Sequence, residues 1–226
     1  MITGLTRLVG LLRDPLADSL SPRMQNAAFA AVGLDWAYVP LGVSPEELED
    51  AIRGLAALGF VGANVTTPHK LAAARLVETE LASVNTLVVR DGRILGFSTD
   101  AAVAEELRPE RPVVVGGGGA AAAWLESLPH ARQFARRGSW PPVVEDADMV
   151  VNATSERDEV VVELHPGQTL VDLPYPATAT AHAAAAAGAQ VVDGIDVLVA
   201  QGAAAFELWT GVPAPVEAMR AAVRSA

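Results

Sequence analysis

The chain has 226 residues, 51% of them hydrophobic, and a formal net charge of -11 from 16 basic against 27 acidic side chains. That length and apolar content support one large or two small globular domains with a buried core, and the negative charge weighs against a nucleic-acid partner, whose phosphates would be repelled at long range. No apolar run reaches the roughly 18 residues that span a bilayer, the start MITGLTRLVG lacks a signal-peptide pattern, and without cysteine or paired histidines neither disulfides nor a structural metal is expected.

Three helices in the first part of the chain are predicted by one device, a hydroxyl residue followed by proline: Ser21-Pro22, Ser44-Pro45 and Thr67-Pro68. The hydroxyl is expected to cap free backbone N–H groups, and the proline to take the first helical position, where it loses no hydrogen bond. Ser44-Pro45-Glu46-Glu47 reads as a capping box, Leu48, Ile52 and Leu55 follow at helical spacing, and Gly59 ends that helix. Strand-like runs, Leu34 to Leu41 and Phe60 to Val65, alternate with these helices and predict an α/β layer with a parallel sheet. In TLVVRDGRILGFSTD, Asp91-Gly92 predicts a two-residue hairpin. Pairing outward from it sets Arg90 opposite Arg93, Val88 opposite Leu95 and Asn85 opposite Ser98, which brings Asn85 and Asp100 to the hairpin's open end.

From residue 112 the pattern becomes PVVVGGGGAAAAWL: a short strand, a glycine run and an alanine-rich helix. Strands at Arg132 to Ala135, Asp148 to Val151, Thr169 to Leu173 and Gln190 to Val192, with a helix from Thr178 to Ala187 closed by Gly188, make a second α/β unit. From about Asp196 the chain is helical, carrying Gln201, Phe206 and Trp209, and a terminal helix follows Gly211 and Pro213.

Two features carry chemistry. Gly116 to Ala121 matches G-x-G-x-x-A between strand and helix, where glycines admit a pyrophosphate and a helix N-terminus presents N–H groups to it. Four glycines can also form a flexible turn, but the strand-to-helix context favours a dinucleotide. No acid lies between Glu126 and Glu145 to take ribose hydroxyls, while Arg136 and Arg137 follow the next strand, which favours NADP over NAD; a solvated basic pair is the alternative. The second feature is Lys70 in Asn64-Val65-Thr66-Thr67-Pro68-His69-Lys70, the single lysine beside fifteen arginines. It stands at the carboxyl end of a strand, where α/β sheets collect ligands, and at the positive end of a predicted helix, where stability disfavours it. The bland alternative is a surface lysine that happens to survive.

Taken together, these segments resemble the shikimate dehydrogenases from end to end. Ser19-Leu20-Ser21-Pro22 with Asn26-Ala27-Ala28-Phe29 is similar to the family's S-x-S-P and N-A-A-F, and NVTTPHK to N-V-T-x-P-x-K. Ser83 to Thr86 resembles A-V-N-T, Gly96 to Asp100 G-x-N-T-D, GGGGAA G-A-G-G-A-A, and Asn152-Ala153-Thr154 the N-A-T segment; Asp193 to Gly211 is close to the late motif. The resemblance implies an N-terminal α/β substrate-binding and catalytic domain over 1–100, completed by helices from about 196 to 226. It also implies a shortened Rossmann-type NADP domain over 101–195.

The activity implied is the reversible NADPH-dependent reduction of 3-dehydroshikimate to shikimate in aromatic amino-acid biosynthesis, by a soluble cytoplasmic monomer or homodimer with no membrane partner. By motif position, Ser19 and Ser21 would bind the substrate carboxylate, and Thr66, Asn85, Asp100 and Gln201 the ring hydroxyls, with Tyr175 a further substrate contact. Lys70 and Asp100 would be the catalytic pair. Gly116, Gly118, Gly119, Ala120, Arg136, Arg137, Asn152 and Thr154 would hold NADP. A lysine suits the reaction, because ketone reduction must deliver a proton to a nascent alkoxide; arginine, with a pKa above about 12, cannot release one.

The sequence also departs from the family pattern. The interval from Lys70 to Asn85 is short, most of a helix is missing after Arg137, Arg136-Arg137-Gly138 replaces N-R-T, and Asp196-Val197 stands where glycine and methionine are expected. The alternatives are a quinate/shikimate dehydrogenase paralogue, a catalytically silent NADP- or shikimate-binding sensor, and an unrelated dinucleotide protein that would leave the N-terminal motifs unexplained.

Overall fold

A computed structural model describes residues 2–16 and 19–224. The chain divides into two compact units, Met1–Thr99 with Val199–Ala226, and Asp100–Leu198. The first contains β1 (Arg7–Arg13), α1 (Ser21–Ala31), β2 (Trp36–Gly42), α2 (Leu48–Ala57), β3 (Gly62–Val65), α3 (Lys70–Ala74), β4 (Thr86–Arg90) and β5 (Arg93–Phe97). The second contains α4 (Ala104–Leu107), β6 (Pro112–Val115), α5 (Gly119–Ser127), β7 (Arg132–Phe134), β8 (Met149–Asn152), β9 (Thr169–Asp172), α6 (Ala179–Ala186) and β10 (Gln190–Val192). The chain then follows α7 (Gly194–Thr210), which crosses the division, and α8 (Val216–Arg224).

The first unit's sheet has the order β2-β1-β3-β4-β5. β1, β2 and β3 run parallel, whereas β4 and β5 are antiparallel additions, so the sheet is mixed rather than purely parallel. The antiparallel part follows from Asp91-Gly92: both residues take left-handed backbone angles (φ 52° and 75°), the geometry of a two-residue hairpin turn. Pairing runs from Arg90↔Arg93 through Val88↔Leu95 to Thr86↔Phe97, the register expected from the sequence. Strand β1 was not anticipated. Its apolar segment Leu8–Leu12 lies between two arginines and occupies the middle of the parallel part.

The helix starts differ from the capping expectation. Helix α1 opens at Ser21 without a side-chain cap, and the Ser21 N–H instead donates to Ser19 Oγ at 3.3 Å. At α2 half of the capping box forms: the Ser44 N–H and hydroxyl both donate to Glu47 Oε2, at 3.4 and 2.8 Å, while no side-chain cap is made at the helix start itself. That helix begins only at Leu48, yet Leu48, Ile52 and Leu55 are all buried as their spacing requires. Pro68 lies before α3, which has five residues and starts at Lys70.

Helix α7 returns to the first unit through specific contacts. Gln25 Nε2 donates to the Gly202 carbonyl at 2.9 Å, and buried Trp209 Nε1 donates to the Leu87 carbonyl at 2.9 Å. Gly62 permits the second contact, because a Cβ there would lie 2.6 Å from Trp209 Nε1. Phe29 on α1 stacks on Phe206 of α7 with centroids 5.5 Å apart, so aromatic burial and hydrogen bonding fix the same helix.

The second unit is a parallel sheet of order β10-β9-β8-β6-β7, with Val113, Val115, Val150 and Leu170 in its core. Successive strands leave β6 in opposite directions, β7 on one side and β8 on the other, which makes a topological switch point where such sheets bind ligands. No helix joins β7 to β8; residues 135–148 are irregular. Thr178 caps α6 by accepting from the Ala181 N–H at 3.2 Å.

Candidate active and cofactor sites

In the first unit several of the candidate residues sit where β3 and the β4–β5 hairpin end. Asn85, 2% exposed, is the hub. Its Oδ1 accepts the Thr99 N–H at 2.8 Å and the Thr86 hydroxyl at 3.0 Å, while its Nδ2 donates to Gln201 Oε1 at 3.1 Å and Thr99 Oγ1 at 3.0 Å. Asn64 extends the network, donating to the Asn85 carbonyl and accepting the Tyr38 hydroxyl at 2.8 Å. A buried amide is stable only when its donors and acceptors are used, and these partners fix its orientation. Asn85 thus meets Thr99, the residue that leads directly into Asp100.

Thr66 follows β3 and holds the Leu12 carbonyl through its N–H at 3.1 Å, and Lys70, half-buried, opens α3. The His69 ring beside it is 1% exposed and lies 2.8 Å from the Val43 carbonyl, which anchors the backbone that carries Lys70. Because α3 is short, the unfavourable helix-dipole field invoked for Lys70 is small. Ser19 and Ser21 are half-buried at the start of α1. Ser19 Oγ accepts from the Ser21 N–H, which leaves its own proton available as a donor.

In the second unit a cavity of about 560 Å³ lies at the carboxyl ends of β6, β7 and β8. It is lined by Gly116, Gly117 and Gly118 after β6, by Arg136, Arg137 and Trp140 after β7, and by Thr154, Ser155 and Glu156 after β8. Gly116 has φ 145°, and a Cβ there would fall 2.6 Å from the Ala153 carbonyl, so only glycine fits. A Cβ on Gly118 would meet nothing within 4 Å, so this loop leaves open space in front of the N-terminus of α5.

The structure therefore brings Gly116, Gly118, Arg136, Arg137 and Thr154 to one cavity. Gly119 and Ala120 begin α5 without lining it. Asn152 is fully buried behind it: its Nδ2 donates to Asp172 Oδ1 at 2.7 Å, and its Oδ1 accepts the Thr154 hydroxyl at 2.7 Å. Its place is to set the loop that carries Thr154. Tyr175 is half-buried, and its carbonyl accepts from Arg157 at 2.9 Å.

Of the lining residues absent from the expected set, one is charged and one is aromatic, Glu156 and Trp140. The search for an acid after the second strand found none, yet Glu156 brings a carboxylate to the cavity from beyond β8, 3.7 Å from Arg136. Its carboxyl is held below the usual carboxylate range by the N–H groups of Asp158, Arg157 and Glu159 and by Arg136. Trp140 was passed over as part of a shortened loop; its one signal was a lone aromatic soon after two arginines. Among the described residues there is no group of three potential metal ligands and no helix long and apolar enough to cross a membrane.

Comparison with known proteins gives the family. Residues 11–87 match the family model "Shikimate dehydrogenase substrate binding domain", and residues 194–224 match "Shikimate 5'-dehydrogenase C-terminal domain". A shikimate dehydrogenase (NADP(+)) of Anaeromyxobacter dehalogenans is 40% identical over 274 residues, covering 100% of this chain and 98% of that protein. Since this chain has 226 residues, that relative carries segments missing here. The crystal structure of shikimate dehydrogenase from Aquifex aeolicus superposes with a TM-score of 0.89 at 29% identity, covering 99% of this chain and all of that one. That of Thermus thermophilus shikimate 5-dehydrogenase in complex with NADP(H) and shikimate gives 0.85 at 28% identity, covering 97% and 99%. With its α/β architecture and its full-length match, the chain belongs to the shikimate dehydrogenase family.

Proposed function

We infer that the protein is an NADP-dependent shikimate dehydrogenase that interconverts 3-dehydroshikimate and shikimate. The observation that carries this reading is the 40% identity to a named NADP(+) enzyme across the whole chain. The glycine loop fits the cofactor on its own terms, with a Gly116 that tolerates no Cβ, open space at Gly118, a helix N-terminus and two guanidinium groups. When bound, NADPH supplies the hydride.

The chain's own residues do the rest. The hydroxyls of Ser19 and Ser21, at the start of an eleven-residue helix, hold the substrate carboxylate despite the negative net charge. Thr66, Asn85, Asp100 and Gln201 orient the ring hydroxyls, and Tyr175 is a further substrate contact. Asn85 and Gln201 do so as a pair, since each fixes the other. Lys70 donates the proton that the nascent alkoxide takes, and regains it in the reverse direction, with Asp100 as its catalytic partner. Gly116 and Gly118 form the pyrophosphate loop and Gly119 and Ala120 the helix N-terminus behind it, Asn152 positions Thr154, and the Arg136–Arg137 pair lies at the adenosine end. A role in aromatic amino-acid biosynthesis in the cytoplasm, as a monomer or homodimer, belongs to the same reading.

The test follows NADPH absorbance with shikimate and NADP+, beside parallel reactions with NAD+ and with quinate. Turnover that is fastest with shikimate and NADP+ supports the assignment. Faster turnover with quinate makes the protein a quinate dehydrogenase, and binding of NADP+ without turnover in any pair makes it a sensor.

A further inference from the structure

The cavity of the second unit has one aromatic side chain on its lining, Trp140. Of the four tryptophans in the chain, Trp124 and Trp209 are buried and Trp36 is half-buried under Arg7, whereas Trp140 is 39% exposed. An indole left on the wall of an open cavity gains burial only when something flat covers it.

Its surroundings point to what that is. The glycine loop follows β6 and the Arg136–Trp140 stretch follows the neighbouring β7, both on the same cavity; in such a sheet the pyrophosphate lies at the first loop and the adenosine ribose at the second, so the adenosine half of a dinucleotide extends toward Arg136, Arg137 and Trp140. Arg136 is already engaged: its guanidinium carbon stands 5.6 Å from the centroid of the Trp140 ring, and its Nη2 lies 3.7 Å from Glu156 and 3.9 Å from Glu159. Arg137 makes no ion pair among the described residues. One guanidinium supports the indole by a cation–π contact and is partly neutralised, while the other keeps its charge for an anion.

We propose that Trp140 is the residue on which the adenine ring of NADP stacks, with Arg136 holding the indole plane and Arg137 taking the 2′-phosphate. This deepens the cofactor reading given above and rests on it. Aromatic stacking suits the task because it needs a flat surface rather than a helix, and the chain has no helix between β7 and β8.

The experiment titrates wild type, Trp140→Phe and Trp140→Ala with NADP+, adenosine 2′,5′-bisphosphate and nicotinamide mononucleotide, by tryptophan fluorescence and by calorimetry. Both adenine ligands should quench the wild-type emission, and that quench should vanish in Trp140→Phe while its affinity stays within about threefold. In Trp140→Ala both adenine ligands should weaken about ten- to hundredfold, the range expected for one lost base–aromatic stack; nicotinamide mononucleotide, which has no adenine, should bind all three proteins alike. Unchanged affinity of Trp140→Ala for adenosine 2′,5′-bisphosphate, with wild type binding normally, overturns the stacking role and leaves the cofactor reading intact. An equal loss for nicotinamide mononucleotide shows a merely structural residue and also overturns it. Failure of the wild type to bind NADP+ overturns the cofactor reading itself.

Discussion

Asn85 Nδ2 donates to Gln201 Oε1 at 3.1 Å, joining the start of a hairpin strand to α7 across 116 positions of sequence. Asn85→Ala leaves the Thr99 N–H and the Gln201 side chain short of a partner in a buried place, which costs about 1–3 kcal/mol. The expected result is a lower urea midpoint together with a higher KM for shikimate. Gln201→Ala should raise KM with a smaller loss of stability, since α7 stays fixed by Trp209 and Phe206. A KM that does not move in either variant would remove both residues from the substrate site.

Lys70→Ala should lower kcat by about 10²–10⁴-fold, the usual worth of a positioned proton donor. Lys70→Arg should be nearly as poor, because a guanidinium keeps the charge but does not release a proton. Steady-state kinetics on both, with NADP+ affinity measured by calorimetry as a control, separates the two contributions. An arginine variant near wild-type rate would mean that the position supplies charge alone.

Cofactor preference should respond to Arg137 more than to Arg136. Losing a charged hydrogen-bond donor to the 2′-phosphate weakens NADP+ about ten- to hundredfold, and Arg137→Ala should do so while leaving NAD+ binding nearly unchanged. Arg136→Ala should cost less, because that guanidinium is already paired with carboxylates. Removing the opposing charge in Glu156→Gln should tighten NADP+ about two- to fivefold, the scale of an exposed ion pair. Competitive titrations with NADP+ and NAD+ read all three, and equal effects on both dinucleotides would sink the phosphate assignment.

Asp35 provides a pH test of the fold. The Thr6 hydroxyl donates to its Oδ1 at 2.6 Å and the Thr3 hydroxyl to its Oδ2 at 2.7 Å, and together they hold its carboxyl below the ordinary value of 3.8. A folded-state value below the unfolded one stabilises the fold above about pH 3.8, and that contribution is lost as pH falls through the depressed value. The stability difference between wild type and Asp35→Asn should therefore be larger at neutral pH than in acid. An NMR titration that places Asp35 at or above 3.8 would contradict this.

Much of the architecture was legible because local signals and tertiary structure agree. The Asp91-Gly92 turn specifies the hairpin register by itself, and the spacing of Leu48, Ile52 and Leu55 specifies the buried side of α2. Strand β1 escaped because a short apolar run with one glycine has no periodicity of its own; its identity comes from the neighbours on both sides. The glycine loop and the paired arginines stood out in the sequence, and they line one cavity. Glu156 and Trp140 did not, since the first reaches the cavity from beyond another strand and the second stands in an irregular stretch where a helix was expected. At Ser44 the capping box was half right: Glu47 reaches back to the Ser44 N–H, but the helix starts later, at Leu48.

The stretch from Arg136 to Trp140 carries both guanidiniums and the indole in one run of loop. In a sheet protein whose second crossover is a packed helix, altering that wall means repacking part of a core. Here it does not, because loops accept substitution, insertion and deletion with little strain on the elements they join. On the proposed assignment, the choice of dinucleotide is separable from the choice of acid substrate, and a small combinatorial library over this stretch should rewrite the first while the second stays untouched.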